Sequence, residues 1–193
     1  MAVFSTINKS QLEGAKRLDA EYYQPEYFID FSKGQWVSIG DSLKACQYGL
    51  SQAMNDEQIG YPMFKMDNIS DGFLLDDGLR YAKIPEHEFE QYKILANDVF
   101  FNRVNSEEFV GRTGIYKVAN LDSVFASYLI RLQVKNDSKI LPDYLNIFLN
   151  CECGTRQIKK FARRAVNQAN VNAEELKQMK IALLPLADQK DVT

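Results

Sequence analysis

The sequence has little of the chemistry on which most metal and nucleophilic sites depend. Its 193 residues include three cysteines and one histidine. Cys46, Cys151 and Cys153 lack the Cys-x-x-Cys spacing that zinc and redox sites favour, so we expect reduced thiols. The histidine, His87, lies in an acidic run at residues 85–90, which indicates a solvated turn or helix start. Because metal sites usually combine several His or Cys ligands, we expect neither a metal nor a cofactor.

Sequence motifs of common enzyme classes are also missing. There is no Gly-x-Ser-x-Gly elbow, Walker loop, Gly-x-Gly-x-x-Gly run or Asn-Pro-Pro-Tyr type tetrapeptide, which disfavours hydrolases, nucleotide-dependent enzymes and methyltransferases. One enzymatic alternative stays open. Asp143, Glu175 and Lys177 spell a nuclease-like pattern, in which two acids hold Mg²⁺ and a lysine stabilises the attacking hydroxide. Its context is poor, because such groups normally lie on adjacent strands, whereas Asp143 opens one predicted helix and Glu175 lies within another.

Long apolar runs are absent as well. No stretch approaches the roughly 20 apolar residues that a bilayer-spanning helix needs, and the first residues are too polar for a signal peptide. We therefore expect a cytoplasmic protein. Ten glycines and five prolines, with 46% hydrophobic residues, exclude disordered and linker-dominated classes. Neither a repeat nor a low-complexity linker divides the chain, which favours a single globular domain.

Charge is weak in total but unevenly distributed. The formal net charge is -3. Residues 71–98 carry seven acids against three bases, whereas residues 155–180 carry seven bases against two acids. The second segment can produce a strong positive field on a nominally acidic protein, and this pattern indicates a nucleic-acid partner.

The hydrophobic pattern predicts an α+β fold that is rich in strands. Strands are expected at 98–104, 113–118 and 124–134, the last with one buried face and one wet face by strict alternation. Helices are expected from Ser10, where Ser10 and Glu13 match a capping box, from Pro142, at 155–165 and at 173–179. Gly154 is expected to interrupt or cap the helix that starts at Pro142.

The predicted helix at 155–165 sorts its bases onto one arc, opposite Ile158, Phe161 and Ala162. This arc holds five bases without an acid, namely Arg156, Lys159, Lys160, Arg163 and Arg164. The stripe favours polyanion binding, and a membrane surface, a partner helix or a plain solvated face remain alternatives. If all five met phosphates, log K would fall against log salt with a slope of about -4.5, from roughly 0.9 per phosphate.

A second polar cluster surrounds a strand-to-strand turn. Asn102, Arg103 and Asn105 end one predicted strand, and Arg112 precedes the next. Arginine pairs bidentately with guanine and asparagine with adenine, so this cluster suits major-groove readout. Taken alone, however, the cluster is better explained as a plain polar turn. Weaker polar patches are the turn from Tyr48 to Gln52, which contains Ser51, and the segment from Lys65 to Ser70, which contains Asn68.

The order of these patches resembles the target recognition domains of the DNA specificity subunit of type I restriction-modification enzymes. The similarity covers roughly residues 36–190, and its matching stretches are Trp36-Val37-Ser38-Ile39-Gly40-Asp41, Tyr48-Gly49-Leu50-Ser51, Tyr61-Pro62-Met63-Phe64-Lys65-Met66-Asp67-Asn68-Ile69, Asn97-Asp98-Val99-Phe100-Phe101-Asn102-Arg103, Val110-Gly111-Arg112, Asn167-Gln168-Ala169-Asn170-Val171 and Leu184-Pro185-Leu186-Ala187-Asp188-Gln189. The segment Leu18-Asp19-Ala20-Glu21-Tyr22-Tyr23-Gln24-Pro25 is also typical of entries to such domains.

The resemblance implies a non-catalytic domain that grips double-stranded DNA and reads one half of a bipartite target. The methyltransferase and restriction/translocase sites would belong to partner subunits. It divides the chain into an N-terminal helix and lead-in segment (1–35), a recognition domain (36–187) with a C-terminal pair of helices, and the start of a truncated conserved spacer helix (188–193). A full specificity subunit resembles two such domains, so we expect a fragment, a half-subunit or part of a fused single-chain enzyme.

Carried onto this chain, the resemblance also implies DNA-contacting residues. Candidates for base edges or nearby phosphates are Tyr48, Ser51, Lys65, Asn68, Arg103, Asn105 and Arg112. Candidates for phosphate contacts are Arg156, Lys159, Lys160, Arg163 and Arg164, followed in the next loop by Gln168 and Asn170. Phosphate contacts set position and base contacts set sequence, so Arg163→Ala is expected to weaken binding to all DNA, and loss of Arg103 to lower discrimination. A protein-interaction module that meets an acidic partner is the other non-enzymatic alternative.

Overall fold

The helices of the domain are short and lie mainly in the C-terminal third. The computed structural model describes residues 6–12, 17–118, 120–166 and 168–193. Within these ranges the α-helices are α1 (Lys9–Leu12), α2 (Ile39–Ser42), α3 (Glu86–Tyr92), α4 (Pro142–Asn150), α5 (Glu152–Phe161), α6 (Ala173–Gln178) and α7 (Leu186–Asp191). Short 3₁₀ turns occur at Ala20–Tyr23, Pro25–Tyr27 and Met66–Asn68. No helix in these ranges has the length and apolar character needed to cross a membrane.

Strands form the greater part of the middle of the chain. They are β1 (Trp36–Ser38), β2 (Leu43–Tyr48), β3 (Tyr61–Phe64), β4 (Ile69–Ser70), β5 (Phe73–Leu74), β6 (Arg80–Ala82), β7 (Val99–Asn102), β8 (Val104–Asn105), β9 (Thr113–Ile115), β10 (Val124–Phe125), β11 (Leu129–Val134), β12 (Arg163–Ala165), β13 (Gln168–Asn170) and β14 (Lys180–Ala182). The largest sheet has the order β2-β11-β7-β9-β5-β4. Smaller sheets have the orders β10-β3-β6, β12-β13-β8 and β1-β14. This mixture of helices and strands confirms the predicted α+β class.

The central strand β11 is buried on both faces, so the predicted wet face is wrong. Ile130 and Leu132 pack into the main core, which also contains residues of α4 and α6. On the other face Leu129 joins a second core with Phe100 and Phe125. Each such side chain contributes roughly 1.5–3 kcal/mol when it is removed from water. A turn after β10 also divides the predicted strand 124–134 in two.

The alternating polar residues of β11 belong to a buried network around Asp98. Gln133 Nε2 donates to Asp98 Oδ1 at 2.7 Å, and Arg131 Nη1 lies 3.5 Å from Asp98 Oδ2. Burial raises the pKa of Asp98 and lowers the pKa of Arg131. Each charge offsets part of the desolvation cost of the other. Polar residues are therefore tolerated on the buried strand face that the alternation assigns to solvent.

The break between α4 and α5 lies at Cys151, not at Gly154. Cys151 N–H donates to the Ile147 carbonyl at the end of α4, and α5 begins at the next residue. Gly154 lies inside α5, where an added Cβ would be 2.1 Å from the Phe148 carbonyl oxygen. The glycine therefore allows the backbones of α4 and α5 to approach closely, and it does not cap α4.

The predicted helix at 155–165 is wrong at its end. The helix α5 stops at Phe161, Ala162 is extended, and Arg163–Ala165 form β12. β12 pairs with β13, which pairs in turn with β8, so backbone pairing to distant strands overrides the local helix propensity. Elsewhere the helix from Pro142 and the helix at 173–178 are confirmed, and α1 starts one residue before Ser10, with Glu13 outside the described residues.

Candidate nucleic-acid interface

The hairpin of β12 and β13 presents one polar face to solvent. Its register pairs Arg163 with Asn170 and Ala165 with Gln168, and paired residues point to the same face of a sheet. Arg163, Ala165 and Gln168 are exposed, and Asn170 is half-buried. The face therefore combines an arginine with two carboxamides, the side chains that pair bidentately with guanine and adenine.

Arg164 points to the opposite face of the hairpin, where its guanidinium is bound by other residues of the fold. Its Nε donates to Glu107 Oε1 at 2.9 Å, and one Nη donates to the Tyr27 hydroxyl at 2.9 Å. Its neighbour on this face, Ala169, is buried. Arg164 thus fastens the hairpin to the lead-in segment, and its charge is neutralised locally.

Arg103 lies between β7 and β8 and is held without a carboxylate partner among the described residues. Its Nη1 donates to the Ser127 carbonyl at 3.2 Å, and its guanidinium carbon lies 4.9 Å from the centre of the Tyr48 ring. Its Nε is buried without a hydrogen-bond partner in the described part of the chain. An arginine that is oriented but not neutralised retains its charge and donors for an external acceptor.

Tyr48 and Ser51 border the same spot. The Tyr48 ring is 40% exposed, and its hydroxyl accepts from the Ala173 N–H at 2.9 Å, at the start of α6. Ser51 is exposed, and the preceding Leu50 carbonyl accepts from the Ser127 N–H at 2.8 Å. Both residues therefore lie around the Ser127 segment to which Arg103 is bonded.

The first turn of α6 connects Arg103 to the hairpin. Arg163 Nε donates to Glu175 Oε1 at 2.8 Å, and Ala173 N–H donates to Tyr48 below Arg103. The Val171 N–H also donates to the Arg103 carbonyl at 3.0 Å, which continues the pairing of β13 with β8. Through the first turn of α6 these bonds link six residues that we call the recognition surface, namely Tyr48, Ser51, Arg103, Arg163, Gln168 and Asn170.

Lys65 and Asn105 flank the recognition surface. Asn105 Nδ2 approaches Met66 Sδ at 3.6 Å, so the Lys65 segment lies beside β8. In the register Asn105 is opposite Ala169, on the face of the hairpin that points away from Arg163. Lys65 is half-buried, and its Nζ is 3.6 Å from Oδ2 of the exposed Asp67.

Asn68 lies inside the turn that follows Lys65, not on the surface. It is 4% exposed, its Oδ1 accepts from the Lys65 N–H, and its Nδ2 donates to the Asp77 carbonyl. Both ends of the amide are used to close the turn, so Asn68 has no free group to offer to a ligand.

Arg112 extends away from Arg103 although their backbones are neighbours. The Arg112 carbonyl accepts from the Asn102 N–H across β7 and β9. Its guanidinium carbon lies 4.0 Å from the Phe109 ring centre, and the side chain lines a cleft of about 710 Å³ beside α4. Arg103 instead reaches toward β2, so the two arginines do not form one site.

The bases of α5 differ in their availability. Arg156 pairs at 3.2 Å with Glu152, an acid of α5 that precedes the predicted range 155–165. Lys160 lies 4.7 Å from the Tyr22 ring centre, and burial lowers its pKa. Lys159 is exposed, and the described residues offer it no ion-pair partner. Lys159 is therefore the base of α5 most accessible to a polyanion.

The nuclease-like residues do not meet. Asp143 Oδ1 pairs with Lys117 Nζ at 2.6 Å, whereas Glu175 pairs with Arg163 and Lys177 with Glu174. Among the described residues no group of three or more His, Cys, Asp or Glu side chains could hold a metal ion. The arrangement expected for Mg²⁺-dependent cleavage is not formed by these residues.

The main contacts that sequence reasoning missed are those of Glu175 with Arg163 and of Tyr27 with Arg164. The Asn172-x-x-Glu175 spacing is a capping-box signature, and both of its hydrogen bonds are present. That signal indicates the helix cap but not the bond to Arg163. No local pattern connects Tyr27 to Arg164, because 137 positions separate them.

Comparisons with known proteins agree with this architecture. A family model described as the type I restriction modification DNA specificity domain matches residues 33–192. The type I restriction enzyme MjaX specificity subunit of Methanocaldococcus jannaschii is 31% identical over 179 residues, which is 89% of this chain and 42% of that protein. The EcoKI specificity subunit of Escherichia coli is 24% identical over 172 residues, which is 88% of this chain and 36% of that protein.

Solved structures share the fold. A chain of a type I R-M system aligns with a TM-score of 0.60 at 18% identity, covering 85% of this chain and 37% of that chain. The HsdS subunit from Thermoanaerobacter tengcongensis aligns with a TM-score of 0.53 at 19% identity, covering 85% and 36%. The chain thus spans less than half the length of these relatives, and it belongs to the family of type I restriction modification DNA specificity domains.

Proposed function

We propose that this domain recognises a short sequence in double-stranded DNA, as one half of the target-reading part of a type I restriction-modification specificity subunit, without catalysis of its own. The observation that carries the proposal is Arg103, a half-buried arginine that is fixed over Tyr48 and has no carboxylate partner within the described ranges. The exposed polar face of the β12–β13 hairpin, which the first turn of α6 links to Tyr48, adds further charge and directional donors.

In this proposal the hairpin reads base edges. A two-stranded β-ribbon fits the major groove, and Arg163, Gln168 and Asn170 carry donors and acceptors on its exposed face. Arg163 was expected to grip phosphate as part of a helix. Its position on a strand beside two carboxamides favours a base contact instead.

Phosphate contacts come from the flanking bases. Lys159 and Arg156 lie on the exposed side of α5, whose C-terminus leads directly into the hairpin. A further candidate is Lys65, whose segment lies beside β8. Such contacts fix the position of the domain on the duplex and carry no sequence information.

The wider biological setting is part of the same proposal. The recognition domain spans residues 36–187, preceded by an N-terminal helix and lead-in segment at 1–35, and residues 188–193 are the start of a spacer helix. The domain works in the cytoplasm with methyltransferase and restriction/translocase subunits. The family match over residues 33–192 supports this assignment.

The experiment is a selection of duplexes by the chain from a random pool at low salt, followed by sequencing and titration of the enriched and scrambled duplexes. We expect a short enriched motif and tighter binding to it. Polyglutamate is the matched polyanion control, because a protein-interaction module with an acidic partner would bind it. Lack of enrichment, or equal binding to polyglutamate and DNA, would overturn the proposal.

A further inference from the structure

We propose that Glu175 is a positioning residue, which fixes the direction of Arg163 and thereby sets sequence discrimination. This inference rests on the proposed DNA recognition. The Glu175 side chain is 8% exposed, whereas that of its partner Arg163 is 63% exposed. A buried carboxylate therefore binds the Nε end of an exposed guanidinium, and Glu175 Oε1 lies 2.8 Å from Arg163 Nε.

Glu175 is itself immobilised from both ends. Its Oε2 accepts from the Asn172 N–H at 3.0 Å, and its own N–H donates to Asn172 Oδ1 at 2.9 Å. Arg17 Nη1 lies 3.8 Å from Glu175 Oε1 on a further side. The carboxylate is thus fixed by the cap of α6 before any ligand arrives, and it offers Arg163 a single direction.

The contact also decides which donors of Arg163 face outward. The bond to Glu175 uses Nε, so the terminal Nη groups remain for a ligand. A guanidinium that is already oriented loses less conformational entropy on binding, and its fork is aligned for one base geometry. An unrestrained arginine would still attract phosphates but would discriminate poorly between DNA bases.

The same turn of α6 positions the second arginine independently. Ala173 N–H donates to the Tyr48 hydroxyl, and the Tyr48 ring supports Arg103. Since Ala173 N–H and the Glu175 carboxylate are separate groups, removal of the Glu175 charge releases Arg163 and leaves the Arg103 support in place.

The test compares Glu175→Gln with Glu174→Gln. Glutamine at position 175 still accepts from the Asn172 N–H, so the cap is kept while the charge that holds Arg163 is lost. Glu174 is its matched control, because it carries the same charge, is exposed and pairs with Lys177 alone among the residues that the structure describes. We expect the ratio of binding to enriched and scrambled duplex to fall about tenfold for Glu175→Gln and to stay within about twofold for Glu174→Gln.

A double-mutant cycle separates positioning from a merely structural role. If Glu175 acts through Arg163, Glu175→Gln has no further effect on the ratio in an Arg163→Ala background. A second variant, Arg163→Lys, keeps the positive charge but lacks the Nε–H that Glu175 holds. We expect the same fall in the ratio of binding to enriched and scrambled duplex. Because position 163 is exposed, this variant keeps the test valid even if Glu175→Gln lowers the Tm.

The outcomes are distinguishable. The positioning role is overturned, while DNA recognition stands, if the binding ratio is unchanged in both Glu175→Gln and Arg163→Lys. It is also overturned if Glu175→Gln lowers the ratio equally in the wild-type and Arg163→Ala backgrounds. A wild-type chain that prefers no duplex overturns the proposed function and the inference together, before any variant is compared.

Discussion

Lys159→Ala and Arg164→Ala separate the bases that DNA can reach from those that only hold the fold. Both variants remove one positive charge within a few residues of each other. Lys159 is exposed, and the described residues give it no ion-pair partner. Arg164 is bound by Glu107 and the Tyr27 hydroxyl on the inner face of the hairpin.

The magnitude follows from the contacts. Five available bases would give a log K against log salt slope of about -4.5, at roughly 0.9 per neutralised phosphate. Arg164 is engaged, and Lys160 is half-buried against Tyr22. Arg163 makes a base contact in the proposed function, so Arg156 and Lys159 remain. The exposed pair of Arg156 with Glu152 is weak and can exchange for a phosphate. These two bases then contribute a slope of about -1.8.

The assay is a fluorescence anisotropy titration of a scrambled duplex between about 50 and 200 mM salt, the range in which counterion release is measurable. Lys159→Ala is expected to reduce the slope by about 0.9 with an unchanged urea midpoint. Arg164→Ala is expected to leave the slope unchanged and to lower the urea midpoint. Equal reductions of the slope by both variants would refute the assignment of Arg164 to the fold.

Three further predictions concern the scaffold. Asp98→Ala leaves Arg131 buried without its carboxylate and is expected to cost about 3–5 kcal/mol of unfolding free energy, measured by urea denaturation; a loss below about 1 kcal/mol would contradict the network. Gly154→Ala is expected to lower the Tm, because its Cβ would meet the Phe148 carbonyl oxygen at 2.1 Å, whereas an unchanged Tm would contradict the close helix approach. Burial raises the pKa of the Cys46 thiol to about 11, so alkylation of Cys46 by iodoacetamide at pH 8 should be roughly two orders of magnitude slower in the folded chain than in urea; equal rates would show that Cys46 is accessible.

The fold class and several elements follow from local signals. Pro142 with the apolar stripe of Leu145 and Leu149 predicts α4, which the structure contains. The β-branched and aromatic run at Val99–Asn102 predicts β7. In both cases the information lies within one turn or one strand, where the period of the hydrophobic residues is enough.

The candidate site was less predictable, because its geometry depends on contacts between distant segments. Arg163 and Arg164 are ordinary helix residues by local propensity, and only the pairing of β12 with β13 and β8 places them on opposite faces of a strand. Arg131 appeared to be a solvent residue because its partner Asp98 lies 33 positions away. The family resemblance makes both segments candidates for DNA contact, but it does not distinguish the turn-building Asn68 from the exposed Gln168.

The central claim is that DNA contacts the recognition surface, and photo-crosslinking to the enriched duplex with bromouracil substitutions tests it most directly. Mass spectrometry of the crosslinked peptides is predicted to identify the hairpin at residues 163–170 and the segment from Tyr48 to Ser51. Crosslinks confined to the Arg112 cleft, or to α3 and the acidic segment around it, would contradict the account.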